Sequence, residues 1–252
     1  MKIFVITRKK LVILSGLLIL SISLAGLNTF ISASKSQKEV PIYSVKREDK
    51  KIALTFNCAW GDEDILNILD ILDTHNVKCT FFIVGTWAEK HTESLKEIHS
   101  RGHEIGGHSY NHGHYKKMNY QEIIADLNKC DKAIEDVINQ DITLFRGGYG
   151  EYSDDVLDAA KSTNRTYIQW SVDSIDYNAK SMDEIIKRVT DKTTPGDIIL
   201  MHTGTDYTAK SLNELLKTLT KDFELVKISD LIYTENFYID HSGKQFKNQV
   251  IN

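Results

Sequence analysis

The stretch KIALTFNCAWGDEDILNILDILDT, Lys51 to Thr74, changes its hydrophobic period halfway. Lys51 to Phe56 reads as a strand. Asp64 to Thr74 reads as a helix, with Ile65, Leu66, Ile68, Leu69, Ile71 and Leu72 on its apolar side. A strand that passes through a short polar loop into a helix is half of a βαβ unit. The same alternation continues outward. Cys79 to Val84 is a second buried strand, Thr92 to Arg101 a helix closed by Gly102, and His103 to Ile105 the start of a short strand that ends in a glycine pair. Helices follow over 120–139 and 154–161, then a strand over 167–172 and a helix over 181–190, where Ser181 and Glu184 match a capping box. Pro195-Gly196 turns into the strand Asp197 to Met201. A helix over 210–219, a strand over 224–227 and a helix over 229–233 complete the pattern. Repeated βα units predict an α/β fold with a mainly parallel sheet flanked by helices, either closed into a barrel or open and doubly wound. No glycine fingerprint follows the first strand, which disfavours a dinucleotide site.

Both ends of the chain lie outside this alternation. Lys2, Arg8, Lys9 and Lys10 precede Leu11 to Ala33, a run without a formal charge and rich in Leu, Ile and Ser. About 20 apolar residues can span a bilayer, and a basic cluster before them stays cytoplasmic. Residues 1–10 therefore read as a cytoplasmic stub and 11–33 as a signal-anchor or a cleaved signal peptide. The length favours the anchor, although Ser23-Leu24-Ala25 has the form of a cleavage site. Either reading exports the rest of the chain: a polar tether over 34–50, a domain over 51–233 and a tail over 234–252. The expected location is the cell membrane, single-pass, with the domain outside. The chain has 41% hydrophobic and 26% charged residues, a globular composition. Four of its 31 Lys and Arg sit in the first ten residues, so the body is more acidic than the net charge of −4 suggests. An acidic body argues against nucleic acid as a partner. We expect a monomer. Three cysteines, Cys58, Cys79 and Cys130, are too few for a disulfide scaffold.

In α/β folds functional side chains collect where strands end. Those points carry Asn57, Cys58 and Asp62, then His108 and His112, Arg146 and Tyr149, Asp173 and Asp176, and His202. Two histidines at i and i+4 share one face if the segment is helical, and can share a metal ion. His202 follows an apolar strand, and Asp173 could orient it and raise its imidazolium pKa.

In their order along the chain, these residues resemble the motifs of the polysaccharide deacetylase family, the NodB-like domains of carbohydrate esterase family 4. His108-Ser-Tyr-Asn-His112 resembles its H-[ST]-x-x-H metal motif, and Arg146-Gly-Gly-Tyr149-Gly its R-x-P-Y-G loop. Trp170-Ser-Val-Asp173-Ser-Ile-Asp176-Tyr177 resembles D-x-x-D-W, and Leu200-Met-His202 the final L-x-H. The likeness covers roughly residues 50–233. It implies a distorted (β/α) barrel of seven to eight mainly parallel strands, a divalent metal (zinc, with cobalt possible) and hydrolysis of N-acetyl groups on peptidoglycan or chitin-like glycans. Carried over to this chain, it implies His108 and His112 as metal ligands and His202 as the general acid oriented by Asp173. Arg146 would hold the catalytic carboxylate, the Tyr149 amide would bind the oxyanion, and Trp170 and Leu200 would line the acetyl pocket. Chemically, an acetamide is a poor electrophile whose amine leaves only when protonated, which calls for a Lewis acid and an acid near neutrality.

The first family motif, T-F-D-D-G, is altered. Asn57 stands where the base is expected, and an amide cannot accept a proton as a carboxylate does, although it can orient substrate or water. Cys58 stands where a metal aspartate is expected, either as a thiolate ligand or as a small buried residue. Asp62 is the proposed substitute, as ligand or base; the alternative is an N-terminal helix charge. Gly148 replaces the proline of the loop. The expected function is therefore a metal-dependent deacetylase of cell-envelope glycan, against a degenerate homologue that binds glycan without turnover. The TF-x-x-AWG form resembles sporulation-associated members of the family.

Overall fold

Residues 39–248 are described by a computed structural model, so the expected anchor at 11–33 lies outside the described residues. In chain order the strands are β1 (Ser44–Val45), β2 (Lys51–Cys58), β3 (Thr80–Ile83), β4 (Glu104–Gly107), β5 (Leu144–Phe145), β6 (Thr166–Tyr167), β7 (Val172–Asp173), β8 (Ile198–His202), β9 (Glu224–Leu225), β10 (Phe237–Ile239) and β11 (Lys244–Lys247). Seven of them form one parallel sheet in the order β6-β5-β4-β3-β2-β8-β7, with β9 added beside β2. The sheet curls into a half-barrel with helices outside, the α/β architecture that the alternation predicted.

The period of two in β2 decides what enters the barrel. Ile52, Leu54, Phe56 and Cys58 face the helices and are fully buried there with Ile65, Ile68, Leu69 and Leu72. Burial of each large apolar side chain contributes about 1.5–3 kcal/mol. Ala53, Thr55 and Asn57 face the other way, because successive side chains of a strand alternate. In β8 the same rule sends Ile199 and Met201 outward, and Leu200 and His202 inward.

Curvature follows from the chain path. The edge strand β6 ends at Tyr167 and the opposite edge β7 begins at Val172. Five peptide steps reach at most about 18 Å, so the two edges must approach each other. The single strand expected over 167–172 is thus two short strands on opposite edges. The chain before β2 fills the seam. The Ile42 amide donates to the Tyr167 carbonyl at 3.0 Å, the Gln169 amide to the Ile42 carbonyl at 2.7 Å, and the Val45 amide to the Gly196 carbonyl at 2.9 Å. Strand β1 then pairs with β11, and β11 with β10. Residues 42–45 and 237–247, read from sequence within a tether and a tail, are therefore part of the fold. Their two- to four-residue strands are too short to show periodicity, and they supply partners to edge groups that would otherwise be unpaired. A helix at Gly85–Lys90 was also absent from the sequence reading.

Candidate active site

The carboxyl ends of β2, β4, β5, β7 and β8 converge at one mouth of the half-barrel. Asn57 pairs in register with both Phe82 and His202, so all three side chains point into it. His202 Nδ1 lies 2.8 Å from Asp176 Oδ1, and its backbone N–H donates to Asp176 Oδ2 at 2.6 Å. The Thr208 hydroxyl donates to the same Oδ2 at 2.6 Å, and the Tyr177 amide to Oδ1 at 3.0 Å. The Asp176 side chain is fully buried and its acceptor positions are filled. It directs the Nδ1 proton of His202 inward, leaving Nε2 to face the cleft. Asp173, the residue named from sequence as the orienter, instead accepts from the Ile175 amide at 2.9 Å. Ile175 has φ 53°, a costly conformation for a β-branched residue, and this turn carries Asp176 rather than Asp173 to His202.

His108 and His112 are joined by a turn, not by the helix that their spacing allowed. Ser109 and His112 both have positive φ, and the two rings lie 4.9 Å apart in an edge arrangement. His108 Nδ1 donates to the Arg146 carbonyl at 2.9 Å. That bond fixes the tautomer and leaves the Nε2 lone pair buried with no hydrogen-bond partner. Burial holds the His108 pKa well below the usual histidine value, with the neighbouring His112 adding to the effect, and burial lowers His112 as well. The two imidazoles fit as two ligands of a divalent ion. Among the described residues no third His, Cys, Asp or Glu joins them as a metal-holding group.

Arg146 is fully buried, its guanidinium 4.0 Å over the Phe82 ring and 5.5 Å from Trp170. Nη1 donates to Asn57 Oδ1 at 2.8 Å, Nη2 to the Gln169 carbonyl at 3.1 Å, and Nε to the Ile168 carbonyl at 3.4 Å. Each of these acceptors is neutral, and burial pushes the pKa down to about 9. The Asn57 amide stands where the family resemblance implies a carboxylate, and the nearby Asp173 carboxylate opposes the effect of burial on Arg146. Leu200 is 2% exposed on the inner face of β8. Tyr149 is exposed at φ 58°, stacked on His114 at 4.2 Å and edge-on to His112 at 4.5 Å.

The other first-motif residues lie elsewhere. Cys58 packs on the helix-facing side of β2, opposite Asn57, where burial pushes its thiol well up and keeps it protonated. Asp62 turns outward: Ser94 Oγ donates to its Oδ2 at 2.6 Å and His91 Nδ1 lies 3.0 Å from Oδ1, which together hold its carboxyl below the usual range. Trp60 and Tyr177, unassigned by the sequence reading, flank His202 at 5.2 Å (stacked) and 5.3 Å (edge-on). Only their position beside the first and fourth motifs could have signalled them.

The carboxyl mouth of the parallel half-barrel thus carries a buried His–Asp pair and two clustered histidines. The polysaccharide deacetylase model matches residues 44–168. A peptidoglycan-N-acetylglucosamine deacetylase of Bacillus cereus is 36% identical over 153 residues, covering 61% of this chain and 56% of that one. An uncharacterised Bacillus subtilis protein, YlxY, is 34% identical over 168 residues, covering 67% of this chain and 53% of that one. Among solved structures, a pseudoenzyme of carbohydrate esterase family 4 from Bacillus anthracis superposes with a TM-score of 0.74 at 35% identity, covering 76% of this chain and 68% of that one. A mutant of that pseudoenzyme is described as having restored enzymatic activity. The chain belongs to the polysaccharide deacetylase family. It spans about half the length of the curated relatives it matches.

Proposed function

We propose that the protein is a slow deacetylase of N-acetylated cell-envelope glycan, exported and tethered through residues 11–33, with an acid half that is complete and a base half that is depleted. The observation that carries this reading is the His202–Asp176 pair, buried, saturated with hydrogen bonds and aimed at the mouth where His108 and His112 meet. His202 holds a proton at Nε2 and passes it to the departing amine, and the buried Asp176 keeps the imidazolium in register. The Tyr149 backbone N–H and the edge of Asn57 position the acetyl group, with Leu200 and Trp170 at its methyl end. His108 and His112 would hold a divalent ion, zinc or cobalt, as two of its ligands; the orphaned Nε2 of His108 supports this. Such an ion would polarise the acetamide carbonyl. The named deacetylase relatives support an N-acetylglucosamine polymer as substrate.

A second reading, binding without turnover, has one specific observation in its favour. Asn57 accepts from Arg146 Nη1 at 2.8 Å, so an amide stands where the family resemblance implies the base. Acetate release from peptidoglycan and N-acetylglucosamine oligomers, with zinc or cobalt added, separates the two. Slow release that vanishes in His202→Ala supports the deacetylase. Oligomer binding with no release from any glycan supports the second reading.

A further inference from the structure

The loop after β2 is fastened at three points, two of them through its acidic run and one through the Gly61 carbonyl. Asp62 reaches the helix Thr92–Ser100 through Ser94 Oγ at 2.6 Å and the residue before it through His91 Nδ1 at 3.0 Å. Trp87 Nε1 donates to the Gly61 carbonyl at 3.3 Å, and the Trp87 ring packs on His91 at 5.0 Å. Asp64 Oδ1 accepts from the Gly204 amide at 2.9 Å, which ties the loop to the segment just after His202. Gly204 has φ +71°, and a Cβ there would lie 2.8 Å from the Gly61 amide nitrogen, so the two loops touch backbone to backbone. Just ahead of the fasteners in sequence, Trp60 is stacked on the His202 ring at 5.2 Å with an interplanar angle of 28°, and 47% of its surface is open. An indole held by one face against the acid presents its other face at the mouth of the cleft.

We infer that Asp62 is a positioning residue which, through His91 and Ser94, holds Trp60 against His202, and that the free face of Trp60 is a stacking platform for a hexosamine ring of the glycan. This inference rests on the proposed glycan reading. The order Ser94–Asp62–His91 places the carboxylate between the other two groups, so the hydroxyl has no imidazole beside it to take its proton and the cluster is a clamp rather than an activated nucleophile. Stacking of an aromatic ring on a sugar uses the apolar C–H face, and the neighbouring exposed Tyr177 extends the same surface.

The test uses the full chain and tetra-N-acetylchitotetraose as probe, measured by calorimetry. Trp60→Ala weakens binding about fivefold to tenfold, and Trp60→Phe stays within about twofold. Asp62→Asn and the milder Ser94→Ala weaken it about two- to fivefold, with no further loss in the Trp60→Ala background, since coupled residues are not additive. An equal loss from Asp62→Asn in both backgrounds overturns the positioning role. Zinc alone, titrated into Asp62→Asn, binds as in the wild type; loss of bound zinc overturns the inference in favour of a ligand. Absence of oligosaccharide binding by the wild type removes the platform and the glycan reading together. The clamp is then judged by the fluorine resonance of 5-fluorotryptophan at position 60. It shifts in Asp62→Asn and Ser94→Ala, and an unmoved resonance overturns the clamp.

Discussion

The two sides of the cleft are built alike and differ in one functional group. On one side a buried carboxylate, Asp176, accepts four hydrogen bonds and carries His202. On the other a buried guanidinium, Arg146, donates to three neutral oxygens, one of them the Asn57 amide. Both oxygens of Asp176 and all three guanidinium nitrogens of Arg146 have hydrogen-bond partners, as burial demands. Only the first side can move a proton. In the proposed reading the scaffold does without a base at this position and still keeps an acceptor for Arg146, because the Asn57 amide oxygen serves as one. Packing and chemistry are separable at this position.

The strongest way to break the comparison is to remove the acid. His202→Ala lowers acetate release by about 10²–10⁴, measured by coupled acetate assay; an unchanged rate would move the acid elsewhere. Asp176→Ala comes next with a loss of about 10², whereas Asp173→Ala stays within about threefold. Equal effects would return the orienting role to Asp173. On the Arg146 side the expected change is in stability. Arg146→Lys cannot reach Asn57 and both carbonyls at once, and costs about 3 kcal/mol in urea unfolding; a loss under about 1 kcal/mol would mean the network is dispensable.

A buried imidazole away from this mouth sharpens the contrast between burial and function. His103, 4% exposed, accepts from the Cys79 amide at 3.1 Å, leaves Nε2 buried without a partner, and is lowered by burial to about 4. Its folded pKa lies below its unfolded one, so below about pH 6.5 the unfolded chain binds more protons. The stabilisation is fully present above that pH and is lost as pH falls from about 6.5 to about 4, roughly 2 kcal/mol by pH 4.5. Urea unfolding of the wild type between pH 7.5 and 4.5 should show this slope, and His103→Gln should flatten it. Parallel slopes would place the proton uptake in other groups.

Much of this was legible in the chain. The βα alternation predicted the parallel sheet, and the strand-end rule picked out Asn57, His108, Arg146 and His202, which the structure brings to one mouth. What escaped depends on single backbone angles and on which face a residue takes. Asp173 ends β7 and Asp176 follows three residues later, and the left-handed turn at Ile175 decides which reaches His202. Cys58 and Asn57 are neighbours, yet β2 runs on through Cys58, so its alternation buries the thiol on the far side. Asp62 lies in a loop whose direction is set by Ser94 and His91, distant in sequence, and no local pattern encodes such a contact. The seam segment at 42–45 and the hairpin at 237–247 are too short for any period to register.

The most direct test of the account is acetate release from N-acetylglucosamine oligomers by Asn57→Asp beside the wild type, under the same zinc and pH. The substitution returns a carboxylate to the place where Arg146 donates and gives the cleft a base. The account predicts a rise of at least about 10² that is abolished again by adding His202→Ala. A folded Asn57→Asp protein that releases acetate no faster than the wild type would contradict it.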